Sequence, residues 1–180
     1  MQKQATIVVE GTLAFAKQIF EAEAFEAGGT EYYGTQLLID RGSESEKVLL
    51  ATIDTVRSAA KLGRVKADRL CVGDGDDTDY DSHKGKTVMR ATRVAQKGRP
   101  ITADNLLNPC VKEDNLLYSG ARARLKVSIW AQDNKWGKRV NAELLAVQFI
   151  AHGEQIGGGQ APSLEGMEPV GEQSDQEIPF

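Results

Sequence analysis

The chain is short of the residues from which most catalytic and metal centres are built. It holds 2 cysteines and 2 histidines in 180 residues, and Cys71, Cys110, His83 and His152 are too scattered to form a ligand set. That excludes a zinc or disulfide framework and predicts two reduced thiols in a cytosolic protein. No nucleophile elbow, P-loop or dinucleotide fingerprint is present, so no enzyme activity, cofactor or metal is expected. Long apolar runs are missing as well. Nothing approaches the roughly 18 residues that would cross a bilayer, and Met1-Gln2-Lys3-Gln4 leads into a strand-like segment without a charged-then-apolar leader. The expectation is a soluble intracellular protein with no membrane partner.

Positive charge is absent from the end of the chain. From Glu154 onward there are 6 acids and no Lys or Arg; removing those 6 from 26 acids leaves 20 against 22 bases, so the body carries +2 although the whole chain carries −4. Between Ser82 and Arg139 the balance is 13 Lys and Arg to 4 acids. A basic central surface joined to an acidic end keeps nucleic acid among the candidate partners despite the low overall charge.

The length fits one domain of residues 1–153 followed by a disordered acidic tail of residues 154–180, rich in Gly, Pro, Glu and Gln. Residues 6–13 (TIVVEGTL) and 32–40 (YYGTQLLID) read as strands. Residues 15–27 read as a loop with a helical turn. Ser43 and Glu46 form a capping box, and Val48, Leu49, Ile53, Val56 and Ala60 then recur at three- and four-residue spacing. One helix is predicted, running to about Leu62 with Gly63 as its stop. Residues 70–72 connect to an acidic loop at 74–81, and strands follow at 86–94, 121–131 and 138–150, the last two joined by a hairpin-length loop at 132–137. Residues 99–117 read as irregular. The fold class is mainly β with one long helix, as a Greek-key barrel of OB type.

The strand at 122–131 is the clearest local signal. Alternation puts Ala123, Leu125, Val127, Ile129 and Ala131 on one face and Arg122, Arg124, Lys126, Ser128 and Trp130 on the other. A row of cations beside an indole is what tracks phosphates while stacking a base. A strand face kept soluble by its charges would also carry Lys and Arg, but would not need one sign. Lys86, Arg90 and Arg93 add cations on the preceding strand, and Trp136 stands near Lys138 and Arg139 at a hairpin tip. Tyr32, Tyr33, Tyr80 and Tyr118 are secondary stackers. The acidic loop fails as an EF-hand: begun at Asp77, it needs Gly where Ser82 stands and Glu where Val88 stands.

The chain ends Gln173-Ser174-Asp175-Gln176-Glu177-Ile178-Pro179-Phe180. Asp175, Glu177, Ile178, Pro179 and Phe180 make an anionic tip with a terminal ring, and this tip resembles that of bacterial and phage single-stranded DNA-binding proteins, where it docks on other proteins. The body supplies further pieces: Tyr33 to Asp40 and the single helix; Val72-Gly73-Asp74-Gly75-Asp76 leading to Tyr80-Asp81-Ser82-His83-Lys84-Gly85; Arg99-Pro100; Tyr118-Ser119-Gly120; and Gly153-Glu154-Gln155-Ile156-Gly157-Gly158. In order and spacing these resemble the phage-encoded single-stranded DNA-binding proteins of the Enc34 type.

The resemblance implies an OB-fold that binds single-stranded DNA with little sequence preference, in the cytoplasm of an infected or lysogenic bacterial host. The function expected is protection of single-stranded DNA in phage replication, recombination and repair. The tip would recruit a polymerase, helicase, primase or recombinase, and a homo-oligomer is compatible with all of this. An RNA-binding or chaperone module is the alternative, since stacking ignores the sugar; a metal-dependent nuclease on the 74–81 loop and a structural phage protein are further rivals.

Overall fold

The structure is a computed structural model that describes residues 4–157, 166–168 and 170. Eight strands and one helix follow in the order β1 (Gln4–Ala14), β2 (Glu23–Ala24), β3 (Glu31–Asp40), α1 (Glu44–Ala59), β4 (Val72–Asp74), β5 (Lys86–Val94), β6 (Ile101–Ala103), β7 (Arg122–Asn134) and β8 (Gly137–Ala151). The sheet order is β2-β3-β1-β7-β8-β5-β4, and β3 also pairs with β5. That extra pairing closes β1, β7, β8, β5 and β3 into a five-stranded barrel. All of its ladders are antiparallel except one parallel rung, Thr92 opposite Glu143, between β5 and β8. This is the mainly β, single-helix barrel that the hydrophobic pattern predicts.

The inward positions are the apolar ones. Val9 and Leu13 of β1, Leu37 and Ile39 of β3, Met89 and Ala91 of β5, Leu125, Val127 and Ile129 of β7, and Val140 and Leu144 of β8 are all buried. Helix α1 lies against β1 and β7 and puts Leu49, Ile53 and Val56 into the same core. β1 and β3 approach so closely that a Cβ on Gly11 would run into the carbonyl of Leu38, and glycine is what that crossing requires.

Several local expectations change. The helix stops at Ala59 rather than near Leu62. Lys61 turns back at φ 55, which drops Leu62 into the core and leaves Gly63 beyond the reversal. The capping box is also re-aimed. Ser43 Oγ accepts the Glu46 N–H at 3.3 Å, but the Glu46 carboxylate accepts from the N–H of Gly42 at 3.0 Å, not from that of Ser43. Its other oxygen accepts from the Thr87 hydroxyl, which ties the helix start to β5.

Residues 70–72, expected as a connector, run into β4, which takes in Asp74 at the start of the expected acidic loop and pairs with β5. Residues 99–117, expected as irregular, contain β6, a parallel partner of β8. The 132–137 loop contracts to Lys135 and Trp136, because β7 continues to Asn134, which pairs with Gly137. At the far end, the body holds on beyond Gly153: Ile156 donates its N–H to Ser119 O at 2.9 Å and packs against Ala14, Leu38 and Val88.

Because Leu49 is fully buried where the helix meets the barrel, Leu49→Ala should lower stability by about 2–5 kcal/mol. Urea unfolding followed by far-UV circular dichroism measures this, and an unchanged midpoint would mean that the helix is not integral to the core.

Candidate nucleic-acid interface

Strand register decides which side chains share the outer face. Opposite β7, Gln4 pairs with Trp130, Val8 with Lys126, Glu10 with Arg124 and Thr12 with Arg122. On the other side, Asn141 pairs with Trp130, Arg139 with Gln132 and Ala146 with Lys126. The alternation read from the sequence therefore holds along β7, but the neighbours change what the cations can do. Arg122 lies 3.5 Å from Glu10 and 3.8 Å from Asp40, and Arg124 lies 3.3 Å from Glu10. Lys86 pairs with Asp40, and the hydrogen bond from its ammonium is the main reason the Asp40 carboxyl is held below its ordinary range. Ser128 is buried and accepts from Gln4 Nε2 at 2.6 Å.

The other sequence-predicted cations divide similarly. Arg90 donates to Leu70 O at 2.7 Å and Lys138 to Leu62 O at 3.1 Å, so both brace backbone. Arg93 bonds the carbonyls of Lys97 and Gly98 and lies 3.1 Å from Glu143, which also holds Lys97 at 2.9 Å. Lys126 and Arg139 make no side-chain hydrogen bond or ion pair among the described residues.

A groove of about 830 Å³ runs across the barrel wall. Three aromatics line it, Phe25, Tyr32 and Trp130, along with three cations, Arg93, Lys97 and Arg139. Trp130 is 36% exposed and Phe25 is 73% exposed. The rings of Phe25 and Tyr32 lie 5.2 Å apart at 32°, so one side of the groove already carries a tilted aromatic pair. Residues of β3, β5, β7 and β8 form the floor, and the short β2 hairpin brings Phe25 over the edge. This wall can take flat, apolar rings between its aromatics and anionic groups at Arg139.

The sequence places Trp130, Arg93 and Arg139 here; it does not find Phe25, and leaves Tyr32 as a secondary stacker. The available signal is the Gly28-Gly29 turn between them, which folds residue 24 back onto residue 31. Trp136 stands outside the groove at the hairpin tip, 69% exposed. Arg69 donates to its carbonyl at 2.9 Å and Asn134 Oδ1 accepts its N–H at 2.9 Å, while the Lys135 ammonium sits 5.0 Å from its ring centre.

The acidic loop is closed by side-chain cations. The Arg41 guanidinium bridges Asp74 and Asp76, and Lys84 donates to the carbonyls of Asp76 and Thr78. The Gly85 N–H donated to Asp76, and then Arg41, hold its carboxyl below the usual range. Among the described residues no group of three or more His, Cys, Asp or Glu is placed to hold a metal ion. His83 is buried beside Phe15 and Tyr80 and bonded to Ser82 and Gln36; burial pushes its pKa down. Burial also pushes the Cys71 thiol up to about 11. The tip residues Asp175, Glu177, Ile178, Pro179 and Phe180 lie outside the described residues.

Comparison with known proteins gives a family. Its profile, described as the single-stranded DNA-binding protein of Enterobacter phage Enc34, matches residues 6–178. The chain belongs to this family. Protein p50 of Acyrthosiphon pisum secondary endosymbiont phage 1 is 32% identical over 110 residues, a stretch that spans 61% of this chain and 58% of that relative. The bacteriophage Enc34 single-stranded DNA-binding protein, solved in complex with single-stranded DNA, superposes with a TM-score of 0.73 at 22% identity, over 86% of this chain and 90% of that one. The gp2.5 single-stranded DNA-binding protein of bacteriophage T7 superposes with a TM-score of 0.54 at 15% identity, over 92% and 98%. At these identities the superpositions establish a shared fold.

The exposures of the two indoles lead to a direct check. Acrylamide should quench Trp136 more strongly than Trp130, so Trp136→Phe should remove the larger share of the quenchable emission and Trp130→Phe the smaller. The reverse order would contradict the placement of the two rings.

Proposed function

We propose that this family member is a non-enzymatic, sequence-nonspecific single-stranded DNA-binding protein that protects DNA during phage replication, recombination and repair. The observation that carries the reading is the groove in which Trp130, Tyr32 and Phe25 are gathered with Arg139, which has no ion-pair partner among the described residues. Aromatic faces stack on any base, and cations at the rim neutralise phosphates without reading sequence. Lys126 extends the cationic line along β7, and Trp136 offers a further ring beyond the groove. Arg93 and Lys97 contribute from the opposite wall, where Glu143 keeps them in place. Family membership supports the choice of single-stranded DNA over RNA, since base stacking alone would accept either.

The acidic end completes the proposal. Asp175, Glu177, Ile178, Pro179 and Phe180 would recruit a polymerase, helicase, primase or recombinase, and would compete weakly for the cationic groove when DNA is absent. DNA binding would then release the tip for its partner.

Titration with an unstructured thymine oligonucleotide should quench tryptophan emission. Its affinity should fall with salt at a log–log slope of about 0.7 per phosphate neutralised. Trp130→Ala should weaken binding by about 1–3 kcal/mol, roughly 5- to 150-fold. Absence of binding at low salt would reject the function, and preference for an RNA oligonucleotide of equal length would favour the RNA-binding alternative. Deleting residues 173–180 should tighten DNA binding at low salt; an unchanged affinity would remove the competition from the scheme.

A further inference from the structure

The outer face of the barrel is less cationic than its sequence suggests, and the loss is uneven. Strands β5, β7 and β8 carry eight cations: Lys86, Arg90, Arg93, Arg122, Arg124, Lys126, Lys138 and Arg139. Six are committed to carboxylates or backbone carbonyls, and only Lys126 and Arg139 have no such partner among the described residues. Those two lie on the β7–β8 hairpin with Trp130 between them, since Arg139 is opposite Gln132 and Trp130 is four residues beyond Lys126. From Lys126 to Gln132 is about 20 Å at ~3.3 Å per residue.

The line could continue. Arg124 is the next residue on the same face and Arg122 the one after, so the alternation alone would carry a bound strand to the start of β7. Glu10 stands in that path. Its carboxylate contacts both arginines, at 3.3 and 3.5 Å, and its backbone N–H donates to Ser45 Oγ in the first turn of α1 at 2.9 Å. The helix thus fixes the point on β1 from which the carboxylate reaches the two arginines. With Asp40 added, the cluster of Arg122, Arg124 and Lys86 carries two carboxylates against three cations. We infer that Glu10 is a footprint-limiting residue that ends the DNA track at Lys126, by holding Arg122 and Arg124 in ion pairs, offsetting one of their two charges and presenting a negative group to any phosphate beyond it.

The pairs are solvent-exposed and individually weak. Their effect is on net charge along the track, which is what sets the number of counterions released. A short carboxylate on the neighbouring strand therefore limits the footprint without touching a base or narrowing the groove.

This inference rests on the single-stranded DNA reading, and its test separates the two. Binding of thymine oligonucleotides of graded length would be measured by fluorescence anisotropy across a salt series for the full chain and for Glu10→Gln. Removing one carboxylate raises the net charge of the cluster by one; one more phosphate engaged would steepen the log–log salt slope by about 0.7, so the affinity lost between 50 and 200 mM salt would grow by about 2.6-fold. The oligonucleotide length needed for full affinity should rise by about one nucleotide. In an Arg122→Ala/Arg124→Ala background the same substitution should leave the slope unchanged. An unchanged slope in Glu10→Gln, or a gain that persists without the two arginines, overturns the inference. Glu10→Ala serves as a second variant, with thermal melts confirming that each protein is folded. Failure of the unsubstituted chain to bind would instead reject the function itself.

Discussion

The outer face exists because β5 closes the barrel. It pairs with β3 along nine residues on one side and touches β8 through the single rung at Thr92 and Glu143 on the other. That narrow closure curves the wall so that β3, β5, β7 and β8 face one another across the groove instead of lying flat. It also places Glu143 between the strands, where it holds Arg93 and Lys97. Without the closure, Tyr32 and Trp130 would be separate features of an open sheet. With it, they line the same depression.

The interior and exterior of the barrel were legible to different degrees, for a physical reason. Alternation is a property of one strand, so the inward row Ala123, Leu125, Val127 and Ile129 and the outward row from Arg122 to Trp130 could be read from ten consecutive letters. What a cation does depends on the neighbouring strand. Glu10 is over a hundred positions away from Arg122 in sequence, and only the register of β1 against β7 brings them together. Charge counting found a basic segment correctly and could not see that most of its members were occupied.

The missed elements have the same origin. β4 and β6 are three residues each, too short to show a period, and each exists because a long strand beside it offers unsatisfied backbone groups. The β2 hairpin is shorter still, yet it delivers Phe25 to the groove. The helix, by contrast, was visible from its apolar stripe and its cap. Only its ends moved, where the chain reversal at Lys61 and the link from Glu46 to Thr87 depend on tertiary contacts. The acidic loop looked like an ion site in composition alone; Arg41 and Lys84 arrive from outside it to neutralise and close it.

The seating of Ile156 under Ser119 has a mechanical consequence. It clamps the chain near the start of β7, whereas Trp130 and Arg139 lie toward the hairpin end of the same ladder. The clamp and the groove wall thus sit at opposite ends of the β7–β8 ladder. A pull on the backbone at Ile156 would therefore be taken up at the corner where Ser119 meets β7, and the strain would not reach the groove wall directly.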